Sequence, residues 1–174
     1  MDPVHIHLFL NHVPIVGSFA AVLLLAYGAI RKSDEVMRVG LVALVLTALV
    51  AIPVYLTGEP SEDIVEKLPG VSEAFMEEHE DAGKLALIAA IVTGAVSLVS
   101  IFLAGRGQKV GKAFVWISIA LSLVTAAAMV RTGNLGGQIR HTEIRAAGTG
   151  TQQTQTGETK APQASQKDKD DDDH

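Results

Sequence analysis

Cysteine is absent from the 174 residues. That excludes disulfides, thiolate metal sites, iron–sulfur clusters and covalent haem attachment through a C-x-x-C-H motif. Any metal or haem on this chain has to use histidine, methionine or oxygen ligands. Charge is also scarce: Asp, Glu, Lys and Arg make up 19% of the chain, where soluble domains carry about 25%. The balance is acidic, with a net charge of −5, which argues against a nucleic-acid partner. Basic residues are missing ahead of the first apolar run, where Met1-Asp2-Pro3 stands. A cleavable signal peptide carries a basic n-region there, so this run is expected to stay in the mature protein.

What the chain has is apolar length. Hydrophobic residues are 48% of it and gather into four uncharged runs at 13–30, 39–57, 85–104 and 113–130. A bilayer span needs about 20 apolar residues, within a range of roughly 17–25. No alternation of strand type appears, and only helices and closed barrels satisfy their backbone in lipid. The expected fold is therefore all-α: an integral membrane four-helix bundle, up-down-up-down, over residues 1–146. The Thr-, Gln-, Lys- and Asp-rich segment 147–174 reads as a disordered tail.

Basic residues set the expected orientation. Arg31, Lys32 and Arg38 lie between the first two runs, and Arg106, Lys109 and Lys112 between the last two. The long connection 58–84 carries nine acids and only Lys67 and Lys84 as basic residues. The positive-inside rule puts the two short turns in the cytoplasm and both termini outside. In a bacterium this is the inner membrane with a periplasmic outer face.

Taken in order, Asp2-Pro3 is an N-cap followed by proline at the first helical position. A helix from there carries His5, His7 and His12 toward the membrane. Pro14 removes a backbone bond and should bend or restart that helix. On a helix His5 and His12 share a face and His7 points about 140° away from His12, so all three on one ligand is disfavoured. Pro53 predicts a kink near the outer surface, and Tyr55 reads as an interfacial aromatic. In the outer loop, Ser61 is expected to cap a short helix over 62–68, which Pro69-Gly70 breaks. Ser72 should cap a second helix that runs on into the third span. The glycine-rich stretch 131–144 is expected to fold back over the bundle mouth and deliver His141. Ser18, Ser97, Ser100, Ser118 and Ser122 read as packing or back-bonding residues of membrane helices.

Three separate regions thus bring histidine to the outer end. Imidazole at a bilayer is costly without a partner, and clustered titratable groups mark sites. The leading candidate ligand is haem b. Four-helix bundles hold cofactors between facing helices, and haem iron accepts axial histidine. His12 and His79 are the first choice of ligands and His7 and His141 the next, with Arg140 or Arg131 available to propionates. A second candidate is a divalent metal on the same imidazoles with Glu78, Glu80 or Asp81. The di-iron carboxylate pattern needs a glutamate three residues before His79, and Met76 stands there. A third is no cofactor, the histidines forming a pH-sensitive clasp with the acidic loop.

The spacing His7-x4-His12-x-Pro14-Ile15, the four runs, His79 ahead of the third and Gly136-Gly137-x-Ile139 after the fourth resemble a bacterial family of small inner-membrane proteins known as a domain of unknown function. The resemblance covers roughly residues 5–145. It implies a four-helix integral membrane protein, often regarded as haem- or redox-associated, with no established activity. The expected function is electron transfer by a small b-type cytochrome-like protein, a carrier rather than an enzyme. Its partners would be the bilayer and respiratory or other redox membrane proteins. The alternative is a non-redox accessory subunit that docks a partner through its acidic loop.

Overall fold

The computed structural model describes residues 2–105 and 109–145, and every regular element among them is helical. Asp2 caps α1 (Pro3–Leu10) by accepting the Val4 N–H at 3.2 Å, with Pro3 at the first position. The helical ladder is interrupted at Asn11, which keeps helical angles, and resumes as α2 (His12–Arg31); the missing bond is the one Pro14, without an N–H, cannot donate to the Leu10 carbonyl one turn back. Lys32 takes a left-handed conformation that ends α2. Ser33 caps α3 (Asp34–Leu56) through the Val36 N–H at 3.4 Å.

A single residue, Thr57, then leads into α4 (Gly58–Val65). This helix starts four residues earlier than the sequence suggests. Ser61 sits inside it and donates back to the Thr57 carbonyl at 2.6 Å instead of capping it. Gly70, with φ of +81°, lies in the turn that follows. Ser72 is the extended N-cap residue of α5 (Glu73–Ala104), which runs unbroken from the acidic loop into the third apolar run as expected. Its hydroxyl makes no capping bond. The Ser72 N–H instead reaches the Ile139 carbonyl at 3.3 Å.

The last long helix, α6 (Lys112–Arg140), departs most from expectation. It stays helical through Gly133, Gly136 and Gly137, so the fold-back comes only at His141, leading into the short α7 (Thr142–Arg145). Arg106 and the segment from 147 onward lie outside the described residues.

Four helical stretches, Pro3–Arg31, Asp34–Val65, Glu73–Ala104 and Lys112–Arg140, are long and apolar enough to cross a membrane. Their exterior suits that length: Phe102 is 83% exposed, Leu23 70% and Trp116 63%. The interior is built from small and hydroxylic side chains. Thr93 and Thr125 share a 2.8 Å bond across α5 and α6. Ser18, Ser97 and Ser122 bond back to the carbonyls of Pro14, Thr93 and Ile119, as serines in apolar helices do. Ser100 and Ser118 are buried without a hydrogen-bond partner among the described residues.

Gly94 lets α5 approach α3, since a Cβ there would fall 2.5 Å from that of Ala48. Two apolar layers fill the rest. Leu25, Leu41, Leu44 and Val115 pack toward the end holding the short turns. Ala51, Ala86, Ala90 and Met129 pack toward the end holding the start of α1 and the end of α6. At the first end Asp34 accepts the Val110 N–H at 2.9 Å and ties the two hairpins together. The second, terminal end carries the histidines.

Candidate functional site

At the terminal end, each helical hairpin clamps one imidazole onto its own backbone. In the first hairpin, His7 on α1 meets the last turn of α3. Helix α3 ends at Leu56, so its final carbonyls lack intrahelical partners. The Val54 carbonyl takes the Thr57 hydroxyl at 2.9 Å and the Nδ1–H of His7 at 2.9 Å. Thr57 Oγ1 lies 3.3 Å from the same ring nitrogen. In the second hairpin, His79 on α5 donates from Nδ1 to the Thr132 carbonyl of α6 at 2.9 Å.

The ring of His79 lies against Gly136, where a Cβ would come within 3.0 Å of its Cε1 and 3.2 Å of its Nδ1. The close backbone approach that the glycine-rich stretch permits is therefore used here, within a continuous helix.

These bonds fix the tautomer. A carbonyl oxygen only accepts, so Nδ1 carries the proton in both rings and a neutral ring has its lone pair at Nε2. Metal-bound histidines are held in this way, one ring nitrogen anchored to a carbonyl and the other left as ligand. The two centroids are 6.4 Å apart with the ring planes at 80°. Both rings are half-buried and line one cavity of about 170 Å³. Its floor is apolar, from Pro14, Ile15, Ala51, Ala86, Leu87 and Met129. Its wall includes Gly58, Gly83 and Gly133, and Asn11, Tyr55 and Thr132 add polar groups.

The cavity's charge has one sign. Glu59 and Glu62 on α4 and Glu80 on α5 line it, and among the described residues no Lys or Arg does. Glu59 and Glu80 are exposed, whereas Glu62 is partly buried. The nearest described cation, Lys84, is engaged with Glu80 at 2.8 Å and Asp81 at 3.5 Å.

The other sequence candidates stand apart. His12 is exposed, with Nδ1 3.1 Å from the Leu8 carbonyl one turn back, and it does not line the cavity. His5 is exposed beside Asp2. His141 is exposed and pairs with Glu143 at 2.8 Å. The Glu143 carboxyl is held below its ordinary value by its own backbone N–H and then by His141. Arg140 and Arg131 are exposed and outside the lining, as are Glu78 and Asp81. Among the described residues no group of three or more His, Asp or Glu is arranged to hold a bare metal ion.

Sequence reasoning missed the carbonyls of Val54 and Thr132, the cavity position of Asn11 and the burial of Glu62. A backbone carbonyl leaves no trace in residue identity, so only the helix ends could have signalled Val54.

Fold and site together define a class: an all-helical chain with four membrane-length helices and a pair of carbonyl-anchored imidazoles facing one acidic cavity. Compared with known protein families, with curated proteins and with solved structures, the chain gives no match.

Proposed function

We propose that this chain is an integral membrane electron-transfer protein that holds haem b between His7 and His79. It would sit in a bacterial inner membrane with both termini and the acidic loop outside, the sense given by Arg31, Lys32, Arg38, Lys109 and Lys112 at the short turns. The observation that carries the reading is the imidazole separation of 6.4 Å. A ring centroid stands about 3.2 Å from a metal bound at about 2.0–2.1 Å from Nε2, so two rings on opposite sides of one metal are about 6.4 Å apart, and about 5 Å apart at a tetrahedral angle. The observed spacing is one that two imidazoles serving the same metal can adopt, and haem iron accepts histidine ligands.

The haem would supply one-electron chemistry at the outer face. The protein would supply the two fixed imidazoles, an apolar floor and a carboxylate rim. That rim favours a second reading, a divalent cation drawn to the two imidazoles by the surrounding carboxylates. Three carboxylates and no described Lys or Arg suit a cation better than they suit haem propionates.

An absorption spectrum of the detergent-purified protein, before and after dithionite, separates the two. A Soret band with reduced α and β bands is expected, lost in His7→Ala and in His79→Ala and kept in His12→Ala. A colourless protein that retains stoichiometric metal supports the second reading. A protein that is colourless and metal-free when grown with ample haem and metal refutes both, and leaves the accessory-subunit reading.

A further inference from the structure

A methionine shares the cavity with the two imidazoles. Met129 lies on its floor, and it alone among the described methionines lines it. Helix α6 puts it there: Thr132, whose carbonyl holds the His79 ring, stands three residues on, close to one helical turn. Met129 is 5% exposed. Its Sδ meets the Ser18 hydroxyl at 3.5 Å, but that hydroxyl has one proton and lies closer to the Pro14 carbonyl, at 2.8 Å. The sulfur is left with lone pairs uncommitted, on an unbranched side chain that adapts its torsions.

The cavity therefore gathers two imidazole nitrogens and one thioether. Each Nδ1–H is spent on a carbonyl, so each neutral ring offers Nε2 without giving up a proton. What such a set can hold depends on coordination number. Zinc takes four ligands, and magnesium and calcium take six or more, nearly all oxygen. Among the described residues no three of His, Asp or Glu converge to begin such a shell. Copper(I) is satisfied by two or three ligands, and thioether sulfur selects it. We propose that His7, His79 and Met129 bind one copper(I) ion in this cavity. The proposal shares with the second reading above a metal on the two imidazoles, and it names a softer ion and a third ligand. Glu59, Glu62 and Glu80 stay at the wall, where their charge raises the local concentration of any cation.

The test is a competition on the whole detergent-purified chain, with ascorbate and without oxygen. Copper(I) is offered from its coloured bicinchoninate complex, and zinc(II) and cobalt(II) are offered separately as divalent probes. The expected result is one copper(I) withdrawn per chain, and none in His7→Ala or His79→Ala. Met129→Leu should weaken copper(I) binding by at least the roughly 10–100-fold that loss of an outer-shell partner costs, and leave any zinc(II) or cobalt(II) binding unchanged. Met76→Leu, a change at a buried methionine outside the lining, should keep full affinity. Both swaps conserve volume and so spare the fold.

Failure to withdraw copper(I), or equal affinity in Met129→Leu, overturns the proposal. Zinc(II) or cobalt(II) bound with no preference for copper(I) overturns it too and leaves the second reading standing. A haem band lost in His7→Ala and His79→Ala assigns the rings to haem and overturns it in favour of the first reading. Should the histidine variants not fold, X-ray absorption at the copper edge of the unmodified, copper-loaded protein decides. One sulfur beside nitrogen is expected, and a shell of nitrogen and oxygen alone overturns the assignment.

Discussion

Gly136 controls whether the His79 ring can lie against α6, and a three-glycine series tests this with a change of sign. Within a helix, Gly→Ala gains about 0.8–1 kcal/mol from propensity alone. At Gly133 a Cβ meets Ile15 Cδ1 at 3.5 Å, an ordinary contact. Gly133→Ala is expected to keep most of the gain and stabilise by about 0.5–1 kcal/mol. At Gly137 the nearest atom is the tip of Ile144 at 3.3 Å, which can rotate away.

At Gly136 the new Cβ would fall 3.0 Å from His79 Cε1 and 3.2 Å from Nδ1. Carbon atoms prefer about 3.5–4.0 Å, so the ring must retreat by roughly half an ångström. It cannot do so freely, because Nδ1 is held to the Thr132 carbonyl at 2.9 Å. The retreat stretches that bond beyond the range of about 2.7–3.2 Å and forfeits about 0.5–1.5 kcal/mol. Overpacking of the neighbours adds about 1–3 kcal/mol. Gly136→Ala should therefore come out about 1 kcal/mol or more below the unmodified protein despite its better helix propensity.

Reversible unfolding in mixed detergent micelles gives the order of stabilities, and nitrogen chemical shifts of the His79 ring report the bond. If Gly136→Ala matches Gly133→Ala in stability and leaves the Nδ1 shift unmoved, the packing of His79 on α6 is wrong.

Three further outcomes follow from contacts elsewhere in the bundle. Gly94→Ala would set two Cβ atoms 2.5 Å apart and should destabilise by about 1–3 kcal/mol as α3 and α5 part; unchanged stability in the same unfolding assay would refute the close crossing. Asp34→Ala strips the partner from the Val110 N–H, bonded at 2.9 Å on a residue only 4% exposed, and is expected to cost about 1–3 kcal/mol, with Asp34→Asn recovering part of it. At the other end, Glu143 lies beside the Arg145 clamp, which binds the carbonyls of Gln138, Ile139 and Gly70. A carboxyl with a depressed folded value contributes stability above its unfolded value and loses it as pH falls through the folded one. Docking of α7 should loosen in acid below the usual carboxylate range, seen as faster amide exchange at Ile144 and Arg145; Glu143→Gln should remove that dependence, and an unchanged profile would rule out the contact.

Much of the architecture is legible in the residues because the apolar runs are long and uncharged. Asp2-Pro3 fixed one helix start by local chemistry, and the 140° offset separated His7 from His12 before any coordinates. What stayed hidden was direction. The offset says that the two rings diverge, but which one turns inward depends on how α1 lies against the end of α3, a tertiary fact. His12 was the first choice of ligand, but it is exposed, with Nδ1 3.1 Å from the Leu8 carbonyl of its own stretch. His141 was placed over the bundle mouth on the premise that glycines bend a chain. Here Gly136 serves close packing within a continuous helix, and the bend waits until the helix ends.

The site repeats one plan in the two hairpins. Both halves have a histidine near the start of a helical hairpin, and both histidines donate Nδ1–H at 2.9 Å to a carbonyl near the far end of the same hairpin. The acceptors are the backbones of Val54 and Thr132, and any residue type supplies a carbonyl. This geometry needs one imidazole and a matching helix length per half, and a residue of any type can stand at the acceptor position. The shared plan is therefore one of geometry rather than of residue identity. The traces it leaves are the histidine at each entrance and, in the second half, the glycine that makes room for the ring.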